Sequence, residues 1–338
     1  MENAVLYPFT FLLSGIAVHA VLPLLKRFAA PLLLDKPDTL KKHASPVPAV
    51  GGCAIFCATV LTLVTVRFIT NFPTGTLHNL RGILLGGTLI FCLGILDDLR
   101  KPEGLPMKLK LCVQVLAAAA LVYYGVTIQI VNNPWIVYPF TFLWLVGITN
   151  AFNLLDIQDG LCVSQAVVCT LGLVFITLPS EFIYVNFAAL ALLGACLAFW
   201  PYNHAKQKIF LGDSGATFLG FMLSALSMGA GYSEHVSSGF LAPFFILAVA
   251  LFDTSFVILA RLLKHKNPLK GSNDHIALRL QRAGWPKPRV LLVFCAVGLG
   301  CNLLGFIVTK CTLAVALCLF AAAGLFFAWT ARRLLKCK

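Results

Sequence analysis

The sequence predicts an all-α fold: a polytopic integral membrane protein with about eleven transmembrane helices, ten being the alternative count. Three observations predict it. Hydrophobic residues make up 59% of the chain and charged ones only 12%, where soluble domains hold about 45–50% and about 25%. Apolar runs close to the roughly 20 residues that span a bilayer recur from end to end. Lys and Arg collect in alternate connections between those runs, the asymmetry that sets orientation in a membrane.

The runs lie near 5–25, 47–69, 82–97, 109–125, 135–152, 160–178, 182–200, 211–229, 239–260, 289–309 and 313–331. The first is read as a retained span: no small-residue cleavage site follows it, and Lys26 and Arg27 come after it rather than before. With the N-terminus outside and the C-terminus in the cytosol, all but Arg67, Arg81 and Lys310 of the 26 Lys and Arg face the cytosol. The inverted topology would reverse that ratio. No soluble domain fits between the runs, so residues 1–338 are expected to form one membrane domain.

The external connections are short and nearly free of charge, while the cytosolic ones carry the polar residues, the longest from Arg261 to Arg289. Chemistry is therefore expected on the cytosolic face. Topology accounts for much of the net charge of +13, and the same loops attract anionic substrates or lipid headgroups. No repeated basic–aromatic pattern or zinc spacing points to nucleic acid. The twelve cysteines are scattered, with no Cys-x-x-Cys, and are read as small apolar packing residues.

A carboxylate beside hydrocarbon is costly and marks a functional site. Asp97, Asp98, Asp156 and Asp213 lie at the mouths of three different runs on one predicted face, the pattern of a single metal-dependent site. The third run ends in Gly94-Ile-Leu-Asp-Asp-Leu-Arg100. Two adjacent carboxylates repel, which suits a general base or a magnesium-bound phosphate site; as a mere helix end they would oppose the macrodipole. Lys110 and Gln114 share a helical face, with Lys110 placed for a phosphate. The fifth run leads into Asn150-Ala-Phe-Asn-Leu-Leu-Asp-Ile-Gln-Asp-Gly160, where Asn153, Asp156 and Asp159 offer the hard oxygen ligands that magnesium takes.

The eighth run opens with Ile209-Phe-Leu-Gly-Asp-Ser-Gly-Ala-Thr217. Asp213 is either the helix cap or, with the other acids, a metal ligand. Gly212 and Gly215 permit close backbone approach, and a helix N-terminus favours phosphate. Asp253, inside the ninth run, either makes a structural hydrogen bond or lines the site. In the long basic loop His275 follows Asp274, and Arg279 is placed for a bidentate phosphate contact. Lys42 and His43 add cationic contacts ahead of Pro46-Val-Pro-Ala-Val-Gly-Gly52.

In this order the pieces resemble the polyprenyl-phosphate N-acetylhexosamine-1-phosphate transferases, glycosyltransferase family 4. They are Lys-His, Pro-x-Pro and Gly-Gly; Leu-Asp-Asp; Lys and Gln; Asn-x-x-Asn-x-x-Asp-x-x-Asp-Gly; Phe-x-Gly-Asp-x-Gly; and a basic loop with His. The resemblance covers nearly the whole chain. It implies that a polyprenyl phosphate, undecaprenyl phosphate in bacteria, attacks the β-phosphate of a UDP-N-acetylamino sugar, with UDP-GlcNAc the default. UMP leaves and the lipid-linked sugar diphosphate stays in the cytoplasmic (inner) membrane, a first step of cell-wall, lipopolysaccharide or teichoic acid assembly. The resemblance also implies Mg2+, with Mn2+ as a substitute, held by Asp213, Asp156 and Asn153. Asp97, Asp98, Asp213 and His275 would be catalytic. Lys42, His43, Lys110, Asn153, Asp159 and Arg279 would bind substrate. A homodimer is left open, with no motif behind it.

Two departures matter. The phospho-N-acetylmuramoyl-pentapeptide transferase branch carries three consecutive histidines in the last loop, where this chain has Asp274-His275-Ile-Ala-Leu278. The N-acetylglucosamine branches usually carry a second histidine there. Ala49 stands where relatives often place Arg or a hydroxyl residue. Of the rival classes, a transporter would place charge near the membrane midplane and carry an internal repeat, and a scaffold leaves the four acids unexplained.

Overall fold

Each of the eleven apolar runs is helical in the computed structural model, which describes residues 2–35, 46–70, 74–128, 133–179, 182–204, 209–232, 237–267 and 272–336. The chain divides into two compact units, Met1–Ala230 and Gly231–Lys338. The first holds α1 (Glu2–Phe28), α2 (Gly51–Ile69), α3 (Thr74–Leu99), α4 (Met107–Tyr123), α5 (Pro134–Leu155), α6 (Leu161–Thr177), α7 (Ile183–His204) and α8 (Gly212–Gly229). Two strands of two residues each, β1 (Leu34–Asp35) and β2 (Val47–Pro48), pair antiparallel between α1 and α2, with Leu34 opposite Pro48.

Seven helices of the described chain are long and apolar enough to cross a membrane, or eight if a pair bent by 68° counts as one. The expectation was eleven. The runs near 109–125, 160–178 and 211–229 form α4, α6 and α8, of 17, 17 and 18 residues; α4 and α6 are short for a span, and α8 is made less apolar by Asp213 and its glycines and serines. Gly160 and Gly212, both at positive φ, bound the starts of α6 and α8, and Lys108 and Lys110 charge the first turn of α4.

The core of the first unit is α8, buried from Ser214 to Gly229 and packed on α3, α5, α2 and α6. Its surface of Gly, Ala and Ser lets neighbouring backbones approach, the usual basis of helix association in lipid. A Cβ on Gly220 would stand 2.8 Å from the Thr149 Cα of α5. Buried polar groups pair across helices: Trp144 Nε1 donates to Ser227 Oγ at 3.1 Å, and Asn150 Nδ2 donates to Gln114 Oε1 at 2.8 Å.

The second unit begins with a 3-10 turn (Ser237–Leu241), then α9 (Ala242–Ile246), α10 (Ala248–Leu262), α11 (Ile276–Arg282), α12 (Lys287–Val308) and α13 (Leu313–Lys336). The ninth run is the bent pair, broken at Leu247 between α9 and α10. Helices α12 and α13 form a hairpin whose turn is held by Ser238 Oγ, 2.8 Å from the carbonyl oxygens of Val308 and Cys311.

Candidate active site

The C-terminal end of α3 meets the N-terminal end of α8, and the acids meet there. Asp97 and Asp98 are buried, at 3% and 7% exposure. Asp98 Oδ1 accepts the backbone N–H of Asp213 at 3.0 Å, and Oδ2 accepts that of Ser214 at 3.0 Å. These are unpaired donors of the first turn of α8, whose own N-cap, Leu211, has no side-chain acceptor. Asp213 is therefore not the cap; Asp98 caps α8 from another helix. Gly212 makes room with φ +77, where a Cβ would stand 2.7 Å from Asp98 Oδ2.

Asp97 is held separately. Its Oδ1 accepts the Leu105 N–H at 2.6 Å, and its Oδ2 pairs with Lys110 at the start of α4.

Lys101 closes the centre. Its Nζ lies 2.6 Å from Asp98 Oδ1 and 3.1 Å from Asp213 Oδ1. Burial alone would lower the Lys101 pKa, but the Asp213 and Asp98 carboxylates raise it well above the usual lysine value, so the ammonium persists through neutral pH. Sequence reasoning counted Lys101 only toward topology. The signal was its i,i+3 spacing from Asp98.

The segment before α8 joins this centre to two other motifs. Phe210 N–H donates to Pro48 O at 2.8 Å, and Gly51 and Gly52 donate to the carbonyls of Phe210 and Leu211. The N-terminus of α2 thus abuts that of α8, and a Cβ on Gly52 would collide with the Gly215 backbone. Two helix N-termini side by side favour an anion. Ala49 is 3% exposed and donates its N–H to Leu33 O at 2.8 Å, so the departure at this position is a packed backbone site. On the other side, Asn203 Oδ1 accepts the Gly160 N–H at 2.8 Å while its Nδ2 donates to Ile209 O at 2.9 Å. Asn203, unremarked in the sequence, ties the turn bearing Asp156 and Asp159 to the segment leading into Asp213. Asp156 ends α5 as its C-cap, and Asn153 sits half-buried one turn earlier.

His275 and Arg279 belong to the second unit. His275 Nδ1 lies 2.7 Å from Asp253 Oδ2, and Asp253 Oδ1 accepts the Ile276 N–H at 2.9 Å. Both residues are 1% exposed, so Asp253 pins the start of α11 and the imidazole beside it. Arg279 donates to Asp274 Oδ1 at 2.9 Å and to Leu334 O at 3.1 Å. Burial would raise the Asp274 carboxyl, but Lys264, Ser272 and Arg279 pull it down to about 2. Lys42 and His43 lie outside the described residues.

No group of three or more His, Cys, Asp or Glu among the described residues is arranged to hold a metal unaided. The donor chemistry still fits magnesium, which prefers hard oxygens and usually takes one or two carboxylates with waters and substrate phosphates. The side chain of Asp213 is 27% exposed, against 5% for Asp97 and 1% for Asp98. Asp213 is the carboxylate of this centre open to a ligand.

Residues 80–231 match the model of glycosyl transferase family 4. The chain is 32% identical over 299 residues to the probable undecaprenyl-phosphate N-acetylglucosaminyl 1-phosphate transferase of Bacillus subtilis, covering 85% of this chain and 81% of that protein. It is 30% identical over 275 residues to the undecaprenyl-phosphate alpha-N-acetylglucosaminyl 1-phosphate transferase of Thermotoga maritima, covering 80% of each. The similarity to a phospho-N-acetylmuramoyl-pentapeptide-transferase of Streptococcus suis is 30% over a shorter 210 residues, 56% of this chain and 62% of that one. With seven or more apolar helices of spanning length, the protein is a multi-pass membrane protein. The chain belongs to glycosyl transferase family 4 and is a phosphoglycosyltransferase of the polyprenyl-phosphate N-acetylhexosamine-1-phosphate transferase family.

Proposed function

We propose that this enzyme transfers N-acetylglucosamine 1-phosphate from UDP-GlcNAc to undecaprenyl phosphate, releasing UMP, at the cytosolic face of a bacterial inner membrane. The observation that carries the reading is the convergence of Asp97, Asp98 and Asp213 with Lys101 and Lys110 at the N-terminal end of α8. The names of the Bacillus and Thermotoga relatives support the sugar and the lipid acceptor. The basic-residue bias supports an orientation with the N-terminus outside and the C-terminus in the cytosol.

In this reading an oxygen of the lipid phosphate forms a bond to the β-phosphorus of the donor, and the bond from that phosphorus to the UMP oxygen breaks. Asp97 has both oxygens engaged, one by Lys110 and one by a backbone N–H. It is therefore placed to orient the Lys110 ammonium toward phosphate. The lipid phosphate is already ionised near neutral pH and needs no strong base. Asp98 holds the first turn of α8 and Lys101 in register, so the Lys101 ammonium meets the diphosphate. Asp213 is the open carboxylate, and with the Asp156 and Asn153 turn it would hold magnesium. The ion, when bound, supplies charge neutralisation for the diphosphate and the departing UMP.

The test is a radiolabel transfer with purified protein in detergent, undecaprenyl phosphate and magnesium, offering UDP-GlcNAc, UDP-GalNAc and UDP-MurNAc-pentapeptide in parallel. Lipid-extractable label from UDP-GlcNAc, abolished by EDTA, is the expected result. Label from another donor alone, or label indifferent to EDTA, overturns the sugar or the metal respectively.

A further inference from the structure

We propose that Gln114 of α4 and Asn150 of α5 are positioning residues for the transfer: their paired amides fix the rotation of α4 and so hold the Lys110 ammonium at the phosphate site. Both act through Lys110, so the proposal rests on Lys110 being a phosphate contact in the reaction proposed above. Lys110 and Gln114 lie four residues apart, on one face of α4. Lys110 pairs with Asp97 of α3. Gln114 pairs with α5 on the other side. Asn150 Nδ2 donates to Gln114 Oε1 at 2.8 Å, and Gln114 Nε2 donates to Asn150 Oδ1 at 3.4 Å.

The start of α4 has little else to set its rotation. Its N-cap, Pro106, supplies no side-chain bond, and Met107, Lys108 and Leu109 are exposed. The buried residues of α4 are Gln114, Ala117, Ala118 and Leu121, so Gln114 is the buried anchor nearest to Lys110. An ion pair through a long, flexible lysine sets a distance to Asp97 but not the rotation of the helix. A slip of α4 by one residue would turn Lys110 by about 100°, away from Asp97. The same slip would strand both amides, and a buried amide without a partner is costly. One polar pair in an apolar interface thereby selects one register, as a single buried polar position does in a coiled coil.

The pair also has a fixed sense. Asn150 Nδ2 donates to the Val146 carbonyl of its own helix at 2.8 Å as well, so both of its amide hydrogens are engaged and Nδ2 is the atom turned to Gln114 Oε1. On α5, Asn153 follows Asn150 by about one turn, and Asp156 ends the helix. The amide pair therefore joins Lys110 to the helix end that bears Asn153 and Asp156, while the ion pair joins it to Asp97. Breaking the amide pair removes no charge from the site. It frees the ammonium to turn away from it.

The test uses the full chain in detergent and two readouts. The first is acetylation of lysine amines by acetic anhydride without substrate, followed residue by residue with peptide mass spectrometry; it depends on neither sugar donor nor metal. In the parent, the exposed Lys108 should react faster than the paired Lys110 and Lys101. In Gln114→Leu, Lys110 should rise to the rate of Lys108 while Lys101 stays at its parent rate. The second readout is kcat with UDP-GlcNAc, which Gln114→Leu should lower about 10²-fold, the size of a misplacement by about 1 Å. The double variant Gln114→Leu/Asn150→Leu, which leaves no unmatched amide, should melt like the parent yet keep the low kcat. In a Lys110→Met background, adding Gln114→Leu should lower kcat no further. If Gln114→Leu fails to fold, the double variant is acetylated in its place. Unchanged acetylation of Lys110, acceleration of Lys101 together with Lys110, turnover that returns with the melting temperature in the double variant, or a further loss in the Lys110→Met background overturns the proposal. The expected acetylation pattern in a parent that does not use UDP-GlcNAc supports the amide pair and overturns the donor.

Discussion

Asp98 lies on α3 yet accepts the backbone N–H of Asp213 on α8 at 3.0 Å. Two acids 115 residues apart thus have unequal duties: the buried one organises the backbone that presents the exposed one. Removing an acceptor from a buried donor costs about 1–3 kcal/mol, and the loss of a helix cap is of similar size. Asp98→Ala should lower the melting temperature and abolish turnover. Asp98→Asn, which keeps an acceptor oxygen but no charge, should melt closer to the parent. Thermal shift beside the transfer assay checks both; a parent-like melting temperature in Asp98→Ala would refute the capping role.

Asp213 makes the opposite prediction. Its side chain is the exposed member of the centre, so Asp213→Asn should fold normally. Turnover should fall by about 10²–10³, the size of losing one preorganised group that stabilises transition-state charge. Magnesium-dependent stabilisation of the protein should vanish with it. Retained magnesium response in that variant would move the ion elsewhere.

Lys101 bridges two carboxylates that would otherwise repel. Truncating one partner of a buried pair costs about 3–5 kcal/mol, and the 21% exposure of the Lys101 side chain lowers that expectation. Lys101→Met should be less stable without metal, and magnesium should recover more of its stability than it adds to the parent. A melting curve at several magnesium concentrations reads this directly, and equal magnesium responses would count against it.

Asp274 sets a pH dependence in the second unit. Its folded value of about 2 lies below the unfolded carboxylate value of about 3.9, so its contribution is present above that unfolded value and is lost as pH falls toward 2. Asp274→Asn should reduce stability near neutral pH and flatten the loss of stability between about pH 4 and 2. Chemical unfolding of the two proteins at stepped pH gives the comparison, and parallel curves would remove Asp274 from the acid response.

Much of this was legible in the sequence because membrane solvent simplifies the code. Hydrocarbon demands internally bonded backbone, so apolar runs became helices at nearly the expected places. Helix count was less legible: α4 and α6 end at glycines and charges that shorten them, Asp213 with glycines and serines makes α8 less apolar, and the break at Leu247 carries no proline at the kink itself. The acids Asp97, Asp98 and Asp213 were identifiable because carboxylates beside apolar runs are rare. Asn203 was not, because an amide that joins two loops has no spacing signature.

By itself the sequence determined the class of the protein, the helices and which residue types carry charge at the helix ends. Composition and run length decide those through the cost of exposing backbone and charge to lipid. The tertiary structure alone decided what each charge does. It set Asp98 beneath the first turn of α8, placed Lys101 between two carboxylates and left Asp213 open, while in the second unit it closed Asp253 on His275. Hydrogen bonds and ion pairs act over about 3 Å, and only folding brings residues a hundred positions apart within that range.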